Sequence, residues 1–197
     1  MKNRNTKTKK LVSIALFAAI ATVLMFIEFN IPMTPPFLKV DISGAVILIA
    51  VLTLGLKEAV SALLIKDLIH LLSTQTGGVG ELADFIMLTA MAVALWLITR
   101  NNKDVKKVVI GCVAATAALI AAGAITNAYM LIPFYAKVMM PVEAILDMCQ
   151  KVNPNITSIT SYVVWGVVPF NLVKGVILSI ITVLLYKKSG KMLEKMK

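Results

Sequence analysis

Four stretches of the chain are nearly free of polar residues: Leu11–Phe29, Leu82–Thr99, Val108–Ile132 and Val163–Tyr186. About 20 consecutive apolar residues suffice to cross the hydrocarbon core of a bilayer as a helix, so each stretch predicts a spanning helix. A fifth stretch, Gly44–Ser73, is 30 residues long and is interrupted at Leu54-Gly55-Leu56-Lys57-Glu58. It reads as one long tilted helix or as two short ones.

The distribution of charge decides between these. Basic residues cluster in three places: Lys2, Arg4, Lys7, Lys9 and Lys10 at the start, the Arg100–Lys107 connector, and the tail from Lys187. Cytoplasmic connectors carry an excess of Lys and Arg. Only two helices in Gly44–Ser73 put all three clusters on one side. The sequence therefore predicts an all-α integral membrane protein: a bundle of six transmembrane helices at 11–29, 44–54, 56–73, 82–99, 108–132 and 163–186, forming a single domain over residues 1–197. Both termini are expected in the cytoplasm. The inner segments then hold 15 Lys+Arg, against three on the outer side, Lys39, Lys137 and Lys151, while Lys66 and Lys174 fall within spans.

Composition sharpens this picture. With 59% hydrophobic and 15% charged residues the chain is too apolar for one soluble domain. The net charge of +10 is accounted for by the span ends, so it marks topology and not a nucleic-acid surface. The first apolar run is span-length and leads into further spans, so it reads as a retained helix and not as a cleaved leader. The longer connectors fall outside: Asn30–Ser43 with Pro32, Pro35 and Pro36; Thr74–Glu81 with three glycines; and Pro133–Tyr162, in which Ala136–Lys151 has helical periodicity. No internal repeat is visible. Cys112 and Cys149 fall on opposite sides in this topology, so no disulfide is expected, and no metal-ligand spacing exists.

Polar side chains at membrane depth usually mark a pathway or a site. At 1.5 Å per residue, Lys174 lies roughly 17 Å in from Val163, with Asn171 one turn away on the same face. Asn127 lies about 8 Å and Lys66 about 10 Å from the outer ends of their helices. Asn127 alone would also serve as interhelical glue. Lys66, Asp67 and His70 would also read as a boundary cluster, and Lys174 as half of a buried ion pair with Glu81 or Asp84. A shared vestibule in the outer half accounts for all of them together. Thr76-Gly77-Gly78-Val79-Gly80-Glu81 opens the next helix and lets a ligand approach the backbone closely. The chain lacks the GxxxxGK[ST] phosphate loop, so no ATPase is expected in it. Phe37, Tyr129, Phe134, Tyr135 and Trp165 sit at outer span ends as an aromatic belt or as pocket walls. On the first helix, Ala15, Ala18, Ala19 and Thr22 form a small-residue stripe for close helix packing, within the bundle or against a partner membrane protein.

These residues carry a resemblance to the substrate-binding S components of energy-coupling factor (ECF) transporters, most closely the riboflavin-specific ones. The matching stretches are the Ala-rich first helix, Pro35-Pro36-Phe37-Leu38-Lys39-Val40-Asp41, Lys66-Asp67-Leu68-Ile69-His70-Leu71-Leu72, Thr76-Gly77-Gly78-Val79-Gly80-Glu81-Leu82, Asn127 with Pro133-Phe134-Tyr135, and Pro169-Phe170-Asn171-Leu172-Val173-Lys174-Gly175. The resemblance implies a six-helix bundle in a prokaryotic plasma membrane with an outward-facing riboflavin pocket. It implies that Asn127, Asn171 and Lys174 contact the isoalloxazine ring, that Glu81 and Gly78 lie near the ribityl chain, and that Leu38, Lys39 and Asp41 belong to a loop covering the pocket. It also implies docking through Ala15, Ala18, Ala19 and Thr22 on a transmembrane coupling subunit driven by two cytosolic ATPases, with transport by toppling of the whole S component. Asp84 stands where this motif would carry Asn, and its carboxylate would alter ligand affinity or pair with Lys174.

The chemistry is compatible. The pyrimidine edge of a flavin alternates donors and acceptors, and an Asn amide offers both. The expected function is thus capture of riboflavin as transported ligand, with no catalytic cofactor, no metal and no catalytic residue. Alternatives within the binding class are another vitamin or a flavin phosphate (FMN), toward which Lys39 and Lys66 would act; a solitary facilitator is a third. A membrane enzyme is disfavoured, because the lone His70 has no nucleophile or metal partner in the sequence.

Overall fold

A computed structural model describes the backbone of residues 2–194, Met33 and Pro36 excepted, and side chains from residue 7 to residue 188. Pro36 of the first outer connector, and Lys195 and Lys197 of the basic tail, lie outside the described residues.

The chain is helical almost throughout. Helix α1 covers Lys2–Met25, α2 Ser43–Thr53, α3 Leu56–His70, α4 Val79–Thr99 and α5 Val105–Thr126. Helix α5 continues through a π-helical turn, Asn127–Leu131, into α6, Ile132–Val138. Helix α7 is Val142–Gln150, and α8, Ile159–Tyr162, continues through a second π-helical turn, Val163–Val167, into α9, Val168–Glu194. Among the described residues, four continuous helical segments are long and apolar enough to cross a membrane: 7–25, 79–99, 105–138 and 159–188. By that measure α2 and α3 are short, at about 17 and 23 Å of rise.

Local chemistry explains the boundaries. The break between α2 and α3 falls on Gly55 at φ +111°, a conformation closed to side-chain-bearing residues. Gly77 and Gly78, at φ +63° and +88°, turn the chain into α4. Asp104 caps α5, its Oδ1 accepting from the Lys107 N–H at 2.8 Å. The first helix ends four residues before the expected Phe29, because Phe29–Asn30 leaves to pair antiparallel with Lys39–Val40 as a two-stranded ladder, β1 and β2. The expected outer helix Ala136–Lys151 is two helices, since Met140 precedes Pro141 and is thereby turned away from helical geometry.

The core lies among α2, α3, α4 and α5, with Ile47, Leu48, Leu63, Leu88, Met91, Leu95 and Leu119 fully enclosed. Most of α2 is buried, including Ala45, Leu48, Val51 and Leu52. A second apolar cluster occupies the end of the bundle that carries the ladder. There Leu38 and Val40 pack with Ile132, Ile145, Cys149, Ile156, Tyr162, Val167 and Phe170. The ladder and α7 are thus bound down over the end of α5 and the start of α9.

Candidate ligand-binding site

Beneath this second cluster, five charged side chains from four elements meet in the interior. Lys66 of α3 is completely buried, and its Nζ lies 2.7 Å from Asp67 Oδ1 and 2.7 Å from Asp84 Oδ2 of α4. Asp84 Oδ1 in turn lies 3.1 Å from Lys174 Nζ of α9, and Lys174 also reaches Asp41 Oδ2 at 3.5 Å. The other Asp41 oxygen accepts from the Ser43 N–H at 2.8 Å, which ties β2 to the first turn of α2. Three carboxylates therefore face two ammonium groups. Buried charges persist only when paired and hydrogen-bonded, and Asp84 is the bridge that satisfies both lysines.

One turn before Lys174, Asn171 is buried, and its Nδ2 donates to the Val167 carbonyl at 2.9 Å. Its Oδ1 is buried with no hydrogen-bond partner among the described residues. Asn171 touches α5 at Gly123, where a Cβ would stand 2.5 Å from Asn171 Nδ2, so only glycine permits this approach. Asn127 opens the π-helical turn one turn further along α5. Its Nδ2 donates to the Gly123 carbonyl at 2.8 Å, and its Oδ1 accepts from Tyr162 Oη at 2.9 Å. Such π-helical turns concentrate at functional sites, and here one precedes Asn171 while the other begins at Asn127. Phe37 completes an aromatic wall with Tyr162 and Tyr135, whose ring centroids lie 6.0 and 6.5 Å from its own.

A further polar group is built on the turn before α4. Glu81 Oε1 lies 2.9 Å from His70 Nδ1, and Oε2 accepts from the hydroxyls of Thr74 at 2.9 Å and Thr76 at 3.1 Å. The Gly78 N–H donates to Thr74 Oγ1 at 3.1 Å. Lys39 pairs with Glu28 at 2.7 Å.

Set against the sequence, the structure joins Lys174, Asp84 and Asp41 in one buried ion cluster and brings Asn171 and Asn127 together at Gly123, Asn171 one turn before Lys174, while Leu38 packs in the second apolar cluster. Glu81 spends its carboxylate on His70, Thr74 and Thr76 and Gly78 its N–H on Thr74, and Lys39 stays exposed. The ion pair anticipated for Lys174 forms with Asp84 and not with Glu81. Lys66 and Asp67 are interior members of the cluster, not a boundary group, and His70 bonds Glu81. Tyr162 was absent from the expected set; its place in the last turn before an apolar run gave no sign that its hydroxyl would face inward. Tyr129 and Trp165, 82% and 55% exposed, lie on the protein surface and not in the polar site.

The small-residue stripe of α1 is corrected. Ala18 and Thr22 are buried inside the bundle, whereas Ala15 and Ala19 face outward. Ala18 and Ala19 are 100° apart around the helix, so one surface cannot present both. Thr22 spends its hydroxyl on the Ala18 carbonyl at 2.8 Å.

The chain resembles known proteins along nearly its whole length. The family model for the substrate-specific component of ECF transporters matches residues 9–186. The riboflavin transporter RibU of Staphylococcus aureus is 30% identical over 96% of this chain and 94% of its own length. RibU of Streptococcus thermophilus is 31% identical over 97% and 87%, and the riboflavin transporter FmnP of Bacillus subtilis is 27% identical over 96% of each. A solved structure described as the S component of a bacterial ECF transporter superposes with a TM-score of 0.75 at 29% identity, covering 95% of this chain and 98% of that one. A family match of this extent, on a membrane-helical fold with a polar site enclosed at one end, places the chain among the substrate-specific components of ECF transporters.

Proposed function

We propose that this chain binds riboflavin from the outside of a prokaryotic plasma membrane and delivers it by docking on an ATP-driven coupling module. The observation that carries this reading is the unpaired Asn171 Oδ1, buried beside Lys174 and Asn127 under the packed ladder. A buried acceptor without a donor costs about 1–3 kcal/mol. An imide N–H such as that of the flavin pyrimidine supplies the missing donor, and the Phe37, Tyr135 and Tyr162 rings suit a flat ring system. Relatives named as riboflavin transporters support the same ligand. A flavin phosphate suits the site less well, because Lys39 and Lys66 already hold carboxylates.

The reading includes six spans: α1, α2, α3, α4, α5 with α6, and α8 with α9. Helices α2 and α3 are shorter than the roughly 30 Å of hydrocarbon, but α2 is sheathed by neighbours and need not meet lipid along its length. The basic segments sit at the opposite end of the bundle from the ladder, and the positive-inside rule supports a cytoplasmic side for both termini. Ala15 and Ala19, outward on α1, offer the close-approach surface for a transmembrane coupling subunit, and two cytosolic ATPases on that module supply the energy for toppling.

Fluorescence titration of the detergent-purified protein with riboflavin, beside Asn171→Ala and Lys174→Ala variants, tests the ligand and its site. Quenching in the parent, weakened at least tenfold in both variants, is expected. No quenching in a folded parent refutes the ligand; unchanged affinity in both variants refutes the site.

A further inference from the structure

Away from the polar site, α5 and α9 leave between them an open groove of about 580 Å³. Val109, Val113 and Ile120 line one wall and Val176, Ile180 and Leu184 the other. Its few polar atoms need no ligand. Thr116 Oγ1 and Ser179 Oγ lie 3.0 Å apart, and both reach the Cys112 carbonyl, at 3.0 and 3.3 Å. The groove therefore calls for an apolar occupant.

Its length and its ends identify the kind of occupant. Val109 to Ile120 spans about 17 Å and Leu172 to Leu184 about 18 Å along the helices, close to the roughly 15 Å that one leaflet contributes to a hydrocarbon core. Each wall continues into a lysine on the same helical face: Lys106 lies three residues before Val109, and Lys187 three residues after Leu184. The two helix ends are held together there, since Tyr186 Oη donates to the Lys103 carbonyl at 2.6 Å. Lys106 and Lys187 are exposed, and neither forms a salt bridge with a described residue. The adjacent Asp104 is engaged by the Lys107 N–H and by Asn102 Nδ2.

We propose that this groove is a binding site for an anionic phospholipid, one acyl chain lying between α5 and α9 and the phosphate resting against Lys106 and Lys187. A hydrophobic slot one leaflet deep, closed at a single end by two unpaired cations, matches that amphiphile in both length and charge. A zwitterionic lipid fills the slot equally well but gains little from the lysines. Assignment to the inner leaflet rests on the topology proposed above; the lipid preference itself does not.

The test uses the full chain reconstituted in phosphatidylcholine bilayers, with Trp96→Phe and Trp165→Phe removing native fluorescence and Val113→Trp placing a reporter in the groove. Phosphatidylglycerol or phosphatidylcholine with brominated acyl chains is added at equal mole fraction as quencher. A basic residue near an anionic surface contributes enough for two to give a preference of roughly thirtyfold for phosphatidylglycerol, and this is the expected ratio of apparent affinities. A Val23→Trp reporter on α1, exposed but remote from these lysines, should show no preference. Lys106→Gln with Lys187→Gln should abolish the preference at Val113→Trp, and Lys106→Arg with Lys187→Arg should keep it. Equal quenching by the two lipids in the parent, or a preference that survives the double Gln change, overturns the proposal. So does a Val113→Trp reporter quenched by neither lipid while Val23→Trp is quenched by both, because a protein helix then fills the groove. Riboflavin titration of the same samples reports separately on the vitamin site.

Discussion

Replacing Asp84 by Asn isolates the role of the bridging carboxylate. The change keeps the shape of the side chain and one acceptor oxygen but removes the charge that holds Lys66 at 2.7 Å and Lys174 at 3.1 Å. Deleting one partner of a buried ion pair usually costs about 3–5 kcal/mol, because the survivor is left unpaired. Neither survivor is unpaired here. Lys66 retains Asp67 at 2.7 Å and Lys174 retains Asp41 at 3.5 Å, and the cluster passes from three carboxylates against two ammonium groups to an even balance. The expected stability loss is therefore about 1.5–2 kcal/mol, the low end for a hydrogen bond to a charged group, or roughly 3–8 °C in Tm for a chain of this size. Ligand binding should move the other way. Asp84 draws the Lys174 ammonium to itself through a charge-assisted hydrogen bond worth about 1.5–3 kcal/mol and so competes with a ring carbonyl for its position. Halving that attraction raises riboflavin affinity by about four- to twelvefold. Fluorescence titration with parallel thermal melting in detergent reads both quantities. Unchanged or weaker affinity in a variant with a normal melting curve refutes the idea that Asp84 competes with the ligand for Lys174. A loss of 3 kcal/mol or more refutes the view that Asp41 and Asp67 suffice.

Much of this site could be read from the chain, for a physical reason: polar groups in lipid are costly, so Asn127, Asn171, Lys66 and Lys174 stand out against apolar neighbours. Gly55, Gly77 and Gly78 were equally legible as punctuation, and each adopts a positive φ. Pairing was not legible. Asp84 offered itself to Lys174, but nothing in sequence spacing showed that Lys66 shares the same carboxylate from the other side, or that Asp41 closes the chain from the ladder. Two π-helical turns also defeat a 3.6-residue periodicity, since each inserts a residue and rotates everything beyond it. Tyr162 closes the expected outer connector just before one of them, outside any expected span, so no periodicity pointed its hydroxyl inward. The stripe on α1 failed for a simpler reason: small size identifies residues that allow close approach, not which neighbour approaches.

Other outcomes follow from the same contacts. Tyr162→Phe removes the donor to Asn127 Oδ1 and should weaken riboflavin binding about three- to tenfold, from a net hydrogen-bond worth near 1 kcal/mol, as read by titration. Gly123→Ala places a methyl 2.5 Å from Asn171 Nδ2 and should lower affinity at least tenfold while far-ultraviolet circular dichroism stays helical. Ala19→Trp should leave riboflavin affinity in detergent unchanged yet abolish uptake by cells that express the coupling module, whereas Ala18→Trp, aimed into the core, should reduce the yield of folded protein. Cys149, outside the spanning helices, has its thiol pushed up to about 11 by burial. Maleimide at pH 7.5 should therefore label it about a hundredfold more slowly than an ordinary exposed thiol, and denaturation should restore the rate.

The central claim is that the enclosed polar site at the ladder end of this bundle holds riboflavin. Its most direct test is equilibrium titration of purified, detergent-solubilised protein with riboflavin, followed by flavin fluorescence and by absorbance of the bound fraction after gel filtration. The account requires saturable quenching at one flavin per chain, lost or severely weakened in Asn171→Ala. A folded protein that emerges free of flavin and leaves riboflavin fluorescence unchanged would contradict it.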